Sequence, residues 1–241
     1  MFKGTVLCLQ RSEAVRYAAE YLRSLGICVT EKCAPDVTHL LLPVPSFKGG
    51  DEYLAHLLTK LPDELIVSGG YLNSPLLERY ACVDFLQDPY YLAKNAAITA
   101  RCALEILESR MGTDFCGKQA LIIGWGRIGK CLIPLLKERN ASVTVAARKA
   151  ADLAMIRALG TGSINTSHVP EESHRYDVIV NTVPVLLYPD ISAKPGALLL
   201  ELASKPGMTG PNIIDGRGLP GKMAPEESGK LIAETFIRLS I

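Results

Sequence analysis

No stretch of the chain approaches the ~18 consecutive apolar residues of a membrane span, and Met1-Phe2-Lys3-Gly4-Thr5-Val6-Leu7-Cys8-Leu9 is too short an apolar run for a signal peptide. Neither export nor membrane insertion is expected, and the reading is a cytoplasmic protein. An excess of one charge is also missing. The 26 Lys+Arg and 25 Asp+Glu leave a net charge of +1, without the basic surplus of a nucleic-acid binder. None of the seven cysteines forms a C-x-x-C pair, and an odd number without that spacing argues for reduced thiols rather than a disulfide framework or zinc site. His39, His56, His168 and His174 show no ligand spacing, so no metal is expected. The absence of a P-loop and of a Ser-His-Asp order removes the basis for an ATPase or a triad hydrolase.

What is present centres on Ala120-Leu121-Ile122-Ile123-Gly124-Trp125-Gly126-Arg127-Ile128-Gly129. A short apolar run of the kind a buried parallel strand shows leads into G-x-G-x-x-G and then into a helical pattern ending at Arg139. Gly124 permits a tight turn, Gly126 allows close approach of a phosphate, and Gly129 allows the helix to pack on the strand. The helix amino terminus would then present free N–H groups to a pyrophosphate. The alternative is a glycine-rich turn kept for packing alone. Ser142 to Ala146 reads as the second strand of the βαβ unit. Pro134, inside the helical pattern, is expected to remove the bond to the Lys130 carbonyl and kink the helix. The second strand ends in Ala146-Ala147-Arg148-Lys149, without the carboxylate that usually binds the ribose 2′-hydroxyl of NAD. Arg148 instead offers a planar fork for a 2′-phosphate. The expected cofactor is therefore NADP, with NAD possible, unless Arg148 and Lys149 are only a solvated helix start.

Along the chain, strands are expected at Thr5–Leu9, Ile27–Thr30, His39–Leu42, Leu65–Ser68 and Cys82–Leu86. Helices are expected after a Ser12 cap and near 52–60 and 71–79. This alternation predicts an α/β chain of two doubly wound parallel sheets, a flavodoxin-like amino-terminal domain and a Rossmann NAD(P)-binding domain. The boundaries read as 1–88 for a substrate or partner domain, 89–112 for an interdomain helix and 113–224 for the Rossmann domain. A carboxy-terminal helix over 225–241 is expected to pack back on the first domain. Ala151–Leu159 reads as a helix, and Asp177–Val183 and Ala197–Ala203 read as strands. Their ends, Asn181-Thr182-Val183-Pro184 and Ser204-Lys205-Pro206-Gly207, should face the cofactor side. Residues 216–222 read as a glycine-rich loop. The small residues of the 89–112 helix suit close packing on both sides, and Asn95 and Thr99 share a face at i, i+4. In the functional reading these two and Lys94 are substrate contacts in an interdomain cleft; otherwise they belong to a solvated helix start. Glycines 49, 50, 69 and 70 could admit a substrate to backbone amides or simply serve turns.

The stretches Tyr91–Ala100 (YLAKNAAITA), Gly117-Lys118 with the GWGRIG loop, Val145–Lys149, Asn181–Pro184 and Gly218–Pro225 (GLPGKMAP) together resemble the dipicolinate synthase A family. The resemblance runs from about Asp88 to the end, and the Rossmann half also looks like that of 2-hydroxyacid dehydrogenases. It implies NAD(P)-dependent oxidation of dihydrodipicolinate to dipicolinate in sporulation, with the flavoprotein-like dipicolinate synthase B as partner and a homo- or hetero-oligomeric state. Two substrate carboxylates would call for cationic or amide donors. Lys94 and Asn95 are the catalytic candidates. Thr99, Ser204, Lys205, Arg217 and the backbone at Gly49 and Gly50 are the substrate candidates. Gly124, Trp125, Gly126, Arg127, Ile128, Gly129, Arg148, Lys149, Asn181, Thr182, Val183 and Pro184 are the cofactor candidates. Two other functions remain open, an NADP-binding scaffold or sensor protein and a reductase of another small carboxylate.

Overall fold

The computed structural model describes residues 2–10, 12–46 and 51–241. It divides into two compact units, residues 1–95 with 220–241, and residues 96–219. The first division falls inside a long helix and the second inside a short one.

The first unit begins with β1 (Thr5–Cys8), α1 (Glu13–Ser24), β2 (Cys28–Thr30), β3 (Val37–Leu41), α2 (Asp51–Leu58), β4 (Ile66–Gly69) and β5 (Ala81–Asp84), and it ends in the start of α3 (Pro89–Met111). Helices α1 and α2 cross between β1 and β2 and between β3 and β4, the length of connection that parallel pairing needs. The sheet runs in the order β2-β1-β3-β4-β5 with every pair parallel, the flavodoxin order. Ser12 caps α1, its side chain accepting from Val15 N at 3.3 Å. Asp88 caps α3 by accepting from Tyr91 N at 2.7 Å. Leu7, Leu40, Val67 and Leu77 fill the core between β1, β3, β4 and the α2 side.

The segment 71–79 does not form the α-helix its apolar spacing suggests. Tyr71 sits in the left-handed region at φ 62°, where the Asp84 carboxylate accepts from the Tyr71 and Leu72 amides at 3.0 and 3.1 Å. Ser74 and Pro75 then open only a single 3₁₀ turn, Pro75–Leu77. The left-handed backbone at Tyr71 is incompatible with a right-handed helix start, and Pro75 has no N–H to give to the Tyr71 carbonyl four residues before it.

The second unit contains the rest of α3, then β6 (Gln119–Ile123), α4 (Arg127–Glu138), β7 (Ser142–Ala147), α5 (Ala150–Ala158), β8 (Gly162–Asn165), α6 (Val169–Glu172), β9 (Val178–Asn181), β10 (Leu198–Glu201) and β11 (Ile213–Asp215). The sheet order is β11-β10-β9-β6-β7-β8, again all parallel. Counted from β6 as the first strand, this is the doubly wound dinucleotide-binding order, which reverses between β6 and β9. Helix α4 continues through Pro134, which is exposed. There the Lys130 carbonyl that proline leaves without a donor can turn to water.

Residues 216–222 are not wholly loop. Leu219–Met223 forms α7, and α8 (Pro225–Ser240) follows. Helix α8 lies against α1 within the first unit, and Gly229 makes the close approach possible. A Cβ there would stand 2.5 Å from the Ala14 carbonyl oxygen and 2.6 Å from the Tyr17 Cβ.

His39, on β3, is buried beside the rings of Phe2 and Phe236. Its Nε2 donates to the Ser240 carbonyl at 3.0 Å, and its Nδ1 is 2.8 Å from the Thr38 hydroxyl. Burial pushes its pKa down. The unfolded chain therefore binds a proton that the folded chain resists, so stability is complete above the ordinary histidine value near ~6.5 and falls as pH drops below it. The unfolding temperature is expected to fall more steeply between pH 7.5 and 5.5 in the wild type than in His39→Gln, and equal slopes would acquit this histidine.

Candidate functional site

In the second unit the last residues of β6, β9, β10 and β11 stand side by side, with Ala146, the last but one of β7, next to them. Ala146 pairs with Ile123, Ile123 with Asn181, Asn181 with Glu201 and Glu201 with Asp215. Because the strands are parallel, the connections that leave them emerge along one edge of the sheet, where ligands of open α/β sheets bind.

The glycine loop leaves β6 at the reversal of strand order. Gly124 adopts φ 106°, a conformation open to glycine and strained for other residues. A Cβ on it would lie 2.5 Å from Thr182 Oγ1 and 2.8 Å from Val183 Cγ2. A Cβ on Gly129 would lie 2.5 Å from the Gly124 carbonyl oxygen, so this glycine lets the first turn of α4 fold back onto the loop. Gly126 differs from both. It is the N-cap of α4, makes no side-chain cap, and a Cβ there would meet nothing within 4 Å. The first amides of a 12-residue helix, which no intrahelical carbonyl satisfies, lie without a side-chain cap at the positive end of its dipole. Arg127 is exposed, and Trp125 is half-buried with Lys130 Nζ 5.2 Å from its ring centroid.

Arg148 and Lys149 are exposed at the end of β7, and Lys149 is the N-cap of α5. Thr182 is fastened to β6, its amide and hydroxyl donating to the Ile123 carbonyl at 2.9 and 2.8 Å. Asn181 is buried and its Oδ1 accepts from Val183 N at 3.1 Å. Beyond Pro184 the chain exposes Val185, Leu186 and Leu187. Ser204 and Lys205 are exposed in the connection after β10.

The remaining sequence candidates are distributed elsewhere. Lys94 and Asn95 belong to the first unit and Thr99 to the second. Lys94 is exposed with its ammonium 5.6 Å from the centroid of Tyr90, Asn95 is half-buried and Thr99 buried. Arg217, after the edge strand β11, is held by the Asp215 carboxylate through Nε and Nη2 at 2.8 and 2.7 Å. That partner raises its pKa further and occupies the fork a substrate carboxylate would need. Gly49 and Gly50 lie outside the described residues. No group of three His, Cys, Asp or Glu side chains suited to a metal occurs among the described residues, and none of their helices is long and apolar enough to cross a membrane.

One residue at this edge escaped the sequence reading. Glu201 closes the apolar strand Leu198-Leu199-Leu200 and is only 3% exposed. An acid ending a buried strand is the signal that could have found it, since a carboxylate is seldom buried without donors to hold it.

No family model matches the chain. In sequence it is similar to dipicolinate synthase A of Bacillus subtilis, 31% identical over 140 residues that cover 53% of this chain and 47% of that protein. It is also similar to a shikimate dehydrogenase (NADP(+)) of Shouchella clausii, 34% identical over 86 residues, 34% of this chain and 31% of that one. The matched stretches span about half, or less, of the length of these relatives. In fold it resembles the crystal structure of dipicolinate synthase A from Bacillus halodurans, with a TM-score of 0.81 at 20% identity, covering 98% of this chain and 97% of that one. The resemblance to dipicolinate synthase A therefore holds in sequence over half the chain and in architecture over nearly all of it.

Proposed function

We propose that the chain is an NAD(P)-dependent oxidoreductase of the dipicolinate synthase A kind, oxidising dihydrodipicolinate to dipicolinate with NADP as its cofactor and working beside a flavoprotein-like second protein. The observation that carries the reading is the uncapped amino terminus of α4. Its first amides and the open space at Gly126 fit a pyrophosphate, while a Cβ on Gly124 or Gly129 would stand 2.5 Å from a neighbouring atom. Arg148, with no carboxylate beside it in Ala146-Ala147-Arg148-Lys149, suits a 2′-phosphate, as does the kinship with an NADP(+) shikimate dehydrogenase.

In this reading the amides of α4 hold the pyrophosphate, Arg148 and Lys149 hold the adenosine 2′-phosphate, and Thr182, Val183 and Pro184 border the second half of the nucleotide. A nicotinamide held there would supply the two-electron acceptor for the hydride, the proton going to solvent as the substrate ring becomes aromatic. The protein's part is to orient the dicarboxylate and to exclude water. In the second unit Lys205 offers a point charge to a carboxylate, with Ser204 as a neutral donor, and Arg217 could join only by leaving Asp215; Lys94 and Asn95 of the first unit are the catalytic candidates by resemblance.

Titration of the protein with NADPH and NADH, read by quenching of Trp125, the single tryptophan, tests the reading. NADPH should bind more tightly than NADH, and dipicolinate should strengthen the binding. Binding of neither nucleotide would refute the site, and indifference to dipicolinate would refute the substrate. Lys94→Ala should reduce turnover of dihydrodipicolinate by roughly 30-fold, the loss of one charge-assisted bond of about 2 kcal/mol, with NADPH affinity changed less than about two-fold. Unchanged turnover would remove Lys94 from the site.

A further inference from the structure

Glu201 is a buried carboxylate to which the proposed reaction gives no task. Among the described residues no lysine or arginine side chain bonds it. Its Oε1 accepts from Asn181 Nδ2 at 2.8 Å and Ala203 N at 2.9 Å. Its Oε2 accepts from Asn181 Nδ2 at 3.0 Å, Gly207 N at 2.8 Å and Met208 N at 3.2 Å. Asn181 ends β9, and Ala203 to Met208 lie in the connection that leaves β10, so one carboxylate ties together two adjacent connections at the ligand edge of the sheet.

The tie is tight. Asn181 Nδ2 also donates to the Val183 carbonyl at 3.0 Å, and a Cβ on Gly207 would lie 2.3 Å from both Asn181 Nδ2 and the Val183 oxygen. The Leu187 amide donates to the Gly207 carbonyl at 2.9 Å, closing the clasp on the far side of the exposed Val185 and Leu186. Stability alone gives little reason to bury a carboxylate where an apolar side chain would pack, because desolvating the charge consumes most of what its hydrogen bonds return. What these donors on one anion do supply is a single arrangement of two loops.

We propose that Glu201 is a positioning residue for the nicotinamide half of the nucleotide, fixing the β9 and β10 connections against each other as one rigid wall of that half-site. The proposal rests on the nucleotide site argued above. Doubly wound dinucleotide folds are built of two mononucleotide-binding halves. The β6-β7-β8 half carries the glycine loop and Arg148, and the β9-β10-β11 half carries Glu201.

Glu201→Gln puts an amide donor where one carboxylate oxygen stood. Whichever way it turns, it faces either the Ala203 amide or those of Gly207 and Met208, donor against donor, and that part of the β10 connection is released. Two probes followed at Trp125 separate this from general damage, NADPH and 2′-phospho-ADP-ribose, which is the same nucleotide without the nicotinamide. The variant should bind NADPH about ten-fold more weakly and the shortened probe within two-fold of the wild type. Glu201→Asp keeps both oxygens and should recover part of the NADPH affinity; it is also the variant to measure if the glutamine protein does not fold. Unchanged NADPH affinity, or an equal loss for both probes, would overturn the proposal. A wild-type protein that binds neither probe would show instead that the nucleotide site itself is wrongly read, before any variant is compared.

Discussion

Replacing Gly126 with alanine should leave the protein folded and nearly unable to hold the nucleotide. Its backbone, φ −88° and ψ −171°, is extended and open to any residue, and no atom stands within 4 Å of the new methyl. The unfolding temperature should therefore fall by no more than about 3 °C, the loss expected from alanine at an N-cap. The methyl would, however, fill the space through which a pyrophosphate reaches the α4 amides. Losing those charge-assisted bonds should weaken NADPH by about 3 kcal/mol, roughly 100-fold. Gly129→Ala supplies the contrast. Its Cβ meets a backbone oxygen at 2.5 Å, and an overpacking cost of about 1–3 kcal/mol should lower the unfolding temperature by roughly 5 °C or more. Calorimetry and Trp125 titration of both variants check the pair. Gly126→Ala binding NADPH as the wild type does would show that no phosphate approaches that position.

Arg148→Ala should erase the preference for NADPH over NADH. An arginine fork on a phosphate contributes about 2 kcal/mol through charge-assisted hydrogen bonds. NADPH affinity should thus fall about 30-fold, whereas NADH, which lacks the 2′-phosphate, should change by less than about two-fold. Because the arginine is exposed, the effect should shrink as salt is raised. Parallel titrations at low and high ionic strength measure it. Equal weakening of both nucleotides would place Arg148 on the shared part of the molecule and leave the choice of NADP without its residue.

Much of this architecture is legible before any coordinate, because it is written in local periodicity. Four-residue buried runs such as Thr5–Cys8 and Val178–Asn181 alternate with amphipathic helical stretches, and helix-length connections between strands leave parallel pairing as the solution. The Ser12 cap is readable for the same reason, since a cap depends on residues within three positions of it. The segment 71–79 was not readable. Its helical spacing is genuine, yet Tyr71 stands in the left-handed region, where its amide and that of Leu72 meet Asp84, an acceptor on the next strand that no local window pairs with them.

The candidate site divides along the same line. Residue order alone determined that a glycine turn joins a buried strand to a helix at 124–129 and that a cation rather than an acid follows the second strand, because both are properties of consecutive residues. Only the tertiary structure decided that Ile123, Asn181 and Glu201 end side by side on neighbouring strands, although 78 positions separate the first from the last. It also decided that Gly126 faces open space while Gly124 and Gly129 do not, and that Arg217 is bound by Asp215. Those outcomes depend on which strands pair, in which register, and on what then lies above each backbone atom. They are distances across the sheet, which residue order constrains only through the folded whole.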